Sequence, residues 1–156
     1  MSHEGDVARG KALFNDETRA GCAKCHTTDG TAAKAGPDLL AIGDKFPRRE
    51  LIQSVLEPSA AIAIGYGSTT IELKDGNEFT GIVKQSTDEF VDLATGDGQR
   101  IRIVAKSIKS QRGNTLSLMP DGLQQTMSRE QFTDLVEYLT TLRQPESALT
   151  ANAGMP

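Results

Sequence analysis

The chain has 156 residues, which is enough for one domain or for one domain with an insertion. Its formal net charge is only −4 at pH 7 and no run of basic residues occurs, which argues against a nucleic-acid partner. No apolar stretch approaches membrane-spanning length, so the chain is expected to contain no membrane span.

Helical periodicity predicts three helices outside the segment that carries the two cysteines. Asp6 can cap a short first helix, because its carboxylate can accept hydrogen bonds from the free amides of a first turn. Pro47 is expected in the first turn of a second helix, which Pro58 closes. Ser128 and Gln131 form a capping box that begins the last helix. Helices are therefore expected on both sides of a central segment.

That central segment, residues 67–112, alternates apolar and polar residues with a period of two. The sequence Asp75-Gly76 marks a hairpin turn after the first alternating run. The expected strands are Thr69–Lys74, Phe79–Lys84, Phe90–Ala94, Gln99–Val104 and a short run around Ile108. We therefore predict a domain over residues 1–143, interrupted by an antiparallel β insertion at 67–112 and followed by a flexible tail at 144–156.

The sequence Cys22-Ala23-Lys24-Cys25-His26 contains both cysteines of the chain and one of its two histidines. The pattern Cys-x-x-Cys-His is the attachment motif of c-type haem, in which the thiols form thioethers and the histidine ligates the iron. A structural zinc site would have to use all of Cys22, Cys25, His26 and His3, since no other cysteine or histidine exists. A structural disulfide is the simpler alternative, but it gives no reason for His26 to follow directly. We therefore predict one covalently attached haem c.

Covalent attachment of haem normally takes place outside the cytoplasm, so the chain is expected to be periplasmic or otherwise exported. No hydrophobic segment of a signal peptide follows Met1. We therefore expect a mature chain, or a domain cut from a longer exported protein. Aromatic residues make up only 4% of the chain, with no Trp, so a haem would be the largest apolar object in the core.

The order of several short sequences resembles that of a class I cytochrome c. These are Gly10-Lys11-Ala12-Leu13-Phe14, the Cys-x-x-Cys-His motif, Gly36-Pro37-Asp38-Leu39, Met119-Pro120, and a last helix with Leu135 and Tyr138. More narrowly, the chain resembles haem-binding domains of large exported proteins of planctomycetes and related bacteria. The stretches that carry this second likeness are Pro58-Ser59-Ala60, Gly65-Tyr66, Lys74-Asp75-Gly76 and Ser117-Leu118-Met119-Pro120-Asp121-Gly122-Leu123.

The resemblance runs from about Gly10 to Leu142 and implies a mainly α fold. This would be a class I cytochrome c fold with a small antiparallel β unit inserted before the loop of the distal methionine. The resemblance also implies that Gly10 and Phe14 of the first helix cross the last helix at Leu135 and Tyr138, where a glycine permits close approach.

The resemblance further implies a ligand set of His26 and Met119, whose thioether favours iron(II). Met127, Met155 and His3 are rival ligands: Met127 borders the cap of the last helix, and the other two lie near the ends of the chain.

Two further residues have roles that the resemblance or their chemistry suggests. Pro37 resembles the residue whose carbonyl accepts a hydrogen bond from the ring of the proximal histidine, which would orient that ligand; a plain turn proline is the alternative. Arg48, with Arg49 beside it, is a candidate partner for a haem propionate, because arginine binds carboxylates well. The alternative for both arginines is a solvated helix start.

We therefore expect a single-electron carrier rather than an enzyme. Its partners would be redox proteins, a dehydrogenase as donor and an oxidase or similar protein as acceptor. Two other functions stay open. One is a gas sensor or peroxidase-like protein in which Met119 leaves the iron easily. The other is a haem domain that the β insertion tethers to a dehydrogenase.

Overall fold

The computed structural model describes residues 4–31 and 34–145. His3, Met155 and the predicted tail from residue 146 onward lie outside the described residues. The helices are α1 (Val7–Asn15), α2 (Cys22–Cys25), α3 (Ile42–Lys45), α4 (Arg48–Leu56) and α5 (Arg129–Thr141). The strands are β1 (Thr69–Leu73), β2 (Glu78–Ser86), β3 (Phe90–Thr95), β4 (Arg100–Val104) and β5 (Ile108–Gly113). Within the described residues, no helix is long and apolar enough to cross a membrane.

The helix starts follow the predicted capping chemistry closely. The Asp6 carboxylate accepts a hydrogen bond of 2.7 Å from the backbone amide of Arg9 at the start of α1. Both hydrogen bonds of the capping box between Ser128 and Gln131 are present at the start of α5. Pro47 lies one position before its predicted place, as the N-cap of α4, with an extended ψ of 159°. The predicted caps of α1 and α5 are therefore confirmed.

The five strands form one antiparallel sheet in the order β4-β3-β2-β1-β5. The hairpin predicted at Asp75-Gly76 joins β1 to β2, and Gly76 has a positive φ of 90°. β5, which is expected only as a short run, extends to Gly113. It pairs with β1 and forms one edge of the sheet, with β4 at the opposite edge. The predicted strands are confirmed, with shifts of one or two residues at most of their ends.

The prediction of a mainly α fold is wrong. Only 33% of the described residues are helical, and the sheet is a full second unit with its own core. That core consists of the buried residues Ile71, Val91, Leu93 and Ile103. The helices bury a different cluster, which consists of Phe14, Leu51, Val55, Leu135, Tyr138 and Leu139. The helix content is low because four of the five helices have nine residues or fewer and long irregular segments join them.

The helical core is built on a close crossing between α1 and α5. Gly10 lies at the crossing, where an added Cβ would come within 2.0 Å of the backbone oxygen of Asp134. One turn further along, the rings of Phe14 and Tyr138 pack edge to face with centroids 5.6 Å apart. The buried carboxylate of Asp134 accepts hydrogen bonds from the Asp6 amide at 2.6 Å and from Arg9 Nε at 2.7 Å. The expected close approach of these helices is therefore confirmed.

We expect Gly10→Ala to lower the free energy of unfolding of the haem-loaded protein by about 3 kcal/mol, the upper part of the range for overpacked sites. Helix propensity alone favours alanine by about 1 kcal/mol, so any loss of stability in this variant would come from the contact with α5. Urea unfolding of the variant and of the unmutated protein measures the difference between their free energies of unfolding. The control is Gly67→Ala, where an added Cβ meets nothing within 4 Å. Equal stability of the two variants would contradict the close crossing.

Candidate functional site

An apolar cavity lies between α1, α4, α5 and the loops that carry His26 and Met119. It is lined by Phe14, Ala20, Cys22, His26, Leu39, Val55, Met119, Leu123, Met127, Leu135 and Leu139. Its volume is about 50 Å³, well below the several hundred Å³ of typical ligand pockets. A planar ligand as large as haem therefore requires the lining side chains to move apart.

The two cysteines lie on the single turn of α2, in different surroundings. Gly21 precedes the turn with a positive φ of 62°, a conformation that glycine adopts at little cost. The Cys22 thiol packs against the helical core, and burial raises its pKa to about 11. Burial also raises the pKa of Cys25, but its Sγ lies near the surface, 3.7 Å from the carbonyl oxygen of Gly96. Both thiols are free to form thioethers.

The ring of His26 is oriented by the loop that follows it. Its Nδ1 lies 2.7 Å from the carbonyl oxygen of Pro37. Since a carbonyl only accepts, Nδ1 donates in this hydrogen bond and Nε2 keeps the lone pair that a metal ion needs. Burial lowers the pKa of His26 and outweighs the hydrogen bond with Pro37, which acts in the opposite direction. The hydrogen bond suggested for Pro37 is therefore present, and the neutral imidazole is the favoured form.

The loop itself is held by Asp38, a residue that the sequence reasoning assigned no role. Its carboxylate accepts hydrogen bonds from Thr27 Oγ1 at 2.6 Å and from the amide of Leu40 at 2.9 Å. The Gly36 amide also donates to the carbonyl of Cys25 at 2.8 Å. An aspartate that bonds an amide two residues later is a common turn signal, which could have indicated Asp38.

Met119 lines the cavity from the loop between β5 and α5. Its amide donates to Ser117 Oγ at 3.1 Å, and the Ser117 amide donates to Ser59 Oγ at 3.0 Å. The loop is thus tied to the segment that follows α4. Met127, the rival from the same region, lines the same cavity next to the cap of α5. The structure brings both methionines to the site, so Met119 as the distal ligand stays a prediction.

Arg48 has a partner of its own in the described part of the chain. Its guanidinium forms a salt bridge with Glu137 of α5, and it does not contribute to the cavity lining described above. This ion pair connects α4 to α5 without a ligand. The suggested contact with a haem propionate stays a prediction.

The donor chemistry of this site fits haem c. Two free thiols lie on one turn, a neutral imidazole with a fixed ring follows directly, and a thioether sulfur lines the same apolar cavity. Cys22, Cys25 and His26 are the residues that would hold the group, and Met119 or Met127 would supply a second donor to the iron. These residues fit haem c by their chemistry and because they line one cavity. The volume of that cavity does not yet fit haem, because the side chains that line it have to move apart.

Comparison with protein-family models places part of the chain in a known family. A family model described as Cytochrome c matches residues 7–94, which is more than half of the chain. The matched part contains Cys22, Cys25 and His26 and ends inside β3, so Met119 and α5 lie beyond it. A search of curated proteins finds no significant match.

We expect Gly36→Ala to raise the reduction potential of the haem-loaded protein. An added Cβ at Gly36 would lie 2.5 Å from Cε1 of His26, so the ring or the Pro37 carbonyl would have to shift. A weaker hydrogen bond makes the imidazole a less basic ligand, which favours the reduced state. A spectroelectrochemical titration measures the potential, with Gly113→Ala as the control because nothing lies within 4 Å of its added Cβ. Equal potentials in the two variants would contradict the role of this hydrogen bond.

Proposed function

The chain belongs to the cytochrome c family, and from this we propose that it is an exported monohaem protein that carries single electrons between redox partners. In this proposal Cys22 and Cys25 would hold one haem c, and His26 and Met119 would ligate its iron. One observation carries the proposal. His26, with its Nδ1 bonded to Pro37, lines the same apolar cavity as Cys22 and Met119.

When bound, haem supplies an iron centre that gains and loses one electron. The residues of the chain determine how it is held. The Pro37 carbonyl fixes the ring of His26, so little has to rearrange when the charge of the site changes. The apolar lining, with Phe14 and Leu135, excludes water, and the sulfur of Met119 favours iron(II). Two protein ligands suit a carrier that needs no substrate pocket.

The cavity lining argues for a carrier over a peroxidase-like enzyme. Peroxide chemistry needs an acid–base group beside the open face of the iron. Among the described residues that line the cavity, His26 is the only histidine, and none is an arginine or a carboxylic acid. We therefore propose no enzymatic role.

We also infer that the sheet is an insertion in the cytochrome core. Helices α1, α4 and α5 share one buried cluster, and within the described residues the sheet, 69–113, adds no member to it. The chain thus leaves the helical core after α4 and returns to it with Met119. On the resemblance of the sequence we also propose a place among the haem-binding domains of large exported proteins of planctomycetes and related bacteria. Because covalent attachment of haem normally takes place outside the cytoplasm, we propose a periplasmic or otherwise exported location. The expected partners are a dehydrogenase as donor and an oxidase as acceptor.

We expect the haem to stay with the polypeptide in acidified acetone, because two thioethers hold it. In the double variant Cys22→Ala, Cys25→Ala the same treatment should release all of the pigment. Absorbance of the extract and of the precipitated protein measures both. Extraction of the haem from the unmutated protein would contradict covalent attachment.

We expect Met119→Ala to open the sixth position of the iron. The reduction potential should fall, because the ligand that favours iron(II) is lost, and the reduced protein should bind CO. The matched control is Met127→Leu, which removes the other sulfur of the cavity and keeps an apolar side chain of similar size. It should keep the potential and spectra of the unmutated protein.

Together, these two variants identify which methionine ligates the iron. If Met127→Leu opened the site and Met119→Ala left both spectra unchanged, Met127 would be the ligand. If neither variant changed the spectra, the second donor would not be a methionine of this cavity.

A further inference from the structure

The turn between β3 and β4, residues Thr95–Gln99, packs against the segment that would hold the haem. The carbonyl oxygen of Gly96 lies 3.7 Å from Cys25 Sγ. Gly98, with a positive φ of 84°, lies so close that an added Cβ would be 3.0 Å from the backbone oxygen of Lys24. This turn therefore places one end of the sheet directly on α2. We call it the β3–β4 turn.

The turn lies at the more exposed of the two attachment points. Cys22 packs against the helical core, whereas Cys25 lies outside the buried cluster and its contact with Gly96 is exposed. Each thioether would join a cysteine sulfur to a former vinyl carbon of the haem, at the edge of the porphyrin. The haem edge attached at Cys25 would therefore lie nearer to solvent than the edge attached at Cys22, and the β3–β4 turn would border it.

The β3–β4 turn brings a fixed negative charge to this edge. The exposed Asp97 carboxylate accepts hydrogen bonds from Thr95 Oγ1 and from the amide of Gln99, and these hold the pKa of Asp97 below its usual value. Asp97 directly follows Gly96, whose carbonyl oxygen lies 3.7 Å from Cys25 Sγ, so the carboxylate lies close to this attachment point. Two positive charges lie on the same segment, because Lys24 directly precedes Cys25 and Lys34 Nζ donates a hydrogen bond of 2.7 Å to the carbonyl of Ala23.

We propose that the β3–β4 turn forms one wall of the edge at which electrons enter and leave the haem, and that Asp97 there selects redox partners by charge. Lys24 and Lys34 are the opposing charges of the same edge. The preferred partner presents a positive group to Asp97 and negative groups to the two lysines. The inference rests on the proposed electron-carrier function and adds to it the place of exchange.

The charge of Asp97 predicts opposite effects on reactants of opposite sign. At about 10 Å in water, one unit charge changes the local concentration of a trivalent ion by roughly threefold or more at low ionic strength. An altered reduction potential would instead change the rates of two oxidants in the same direction. Opposite changes therefore report charge at the place of exchange and not a general effect on the iron.

The test is the oxidation of the reduced, haem-loaded protein by two small reagents, hexacyanoferrate(III) as the anion and tris(phenanthroline)cobalt(III) as the cation. In Asp97→Asn, which keeps the side-chain oxygen that Gln99 and Thr95 bond, oxidation by the anion should become about threefold faster. Oxidation by the cation should become slower by a similar factor. Both differences should disappear at high salt.

Two further variants complete the test. Lys24→Gln should show the reverse pattern: its oxidation by the anion should be slower and its oxidation by the cation should be faster. Asp88→Asn is the matched control, because Asp88 lies in the turn at the opposite end of β3, about 20 Å away at roughly 3.3 Å per residue. It should leave both rates unchanged.

Each outcome decides the inference. Equal rates in Asp97→Asn and Asp88→Asn, with reversible reduction intact, would overturn it and leave the electron-carrier function standing. Failure of the carrier function appears differently, as a haem that does not cycle reversibly in the unmutated protein. If Asp97→Asn shifted both rates in the same direction, Asp97 would act on the potential and the place of exchange would lie elsewhere.

Discussion

The contact between α1 and α5 is the one on which the site depends. His26 and Met119 are far apart in the sequence, and their loops lie next to these two helices, after α1 and before α5. Because Gly10 has no side chain, α5 can approach α1 until the backbones nearly touch, and Phe14 and Leu135 then line the same cavity. The buried Asp134 fixes this position through Asp6 and Arg9. α5 also binds α4 through the ion pair between Arg48 and Glu137.

The sheet is a second structural unit that meets the site at one turn. It has a buried core of its own, and within the described residues it adds no member to the cluster that α1, α4 and α5 share. Yet its β3–β4 turn lies against Cys25 and Lys24. A unit placed in this way can change which surfaces approach the haem edge without supplying an iron ligand. This gives the sheet a role consistent with electron transfer, although it lies outside the cavity.

Local sequence signals predicted most of the elements, because caps, turns and periodicity act over a few residues. The capping box at Ser128, the hairpin at Gly76 and the alternation of the strands are signals of this kind. The predicted fold class is wrong, because the short strands join into one five-stranded sheet with its own buried core, which local periodicity does not indicate. The resemblance also indicated the hydrogen bond between His26 and Pro37, which the structure contains.

Contacts between distant segments could not be predicted from the sequence. Nothing near Arg48 indicates Glu137 as its partner, and nothing near Gly96 indicates its contact with Cys25. Such contacts depend on how whole elements pack. For the same reason the sequence could rank Met119 above Met127 only by the resemblance and by the place of Met127 beside the cap of the last helix, and both residues line the cavity.

The most direct test of the account is the optical spectrum of the unmutated, haem-loaded protein in both oxidation states, with and without CO. If two protein ligands hold the iron, both states should be low-spin and the reduced spectrum should not change with CO at neutral pH. Rapid binding of CO, or a high-spin spectrum in either state, would contradict a carrier with two protein ligands and favour a haem-based gas sensor.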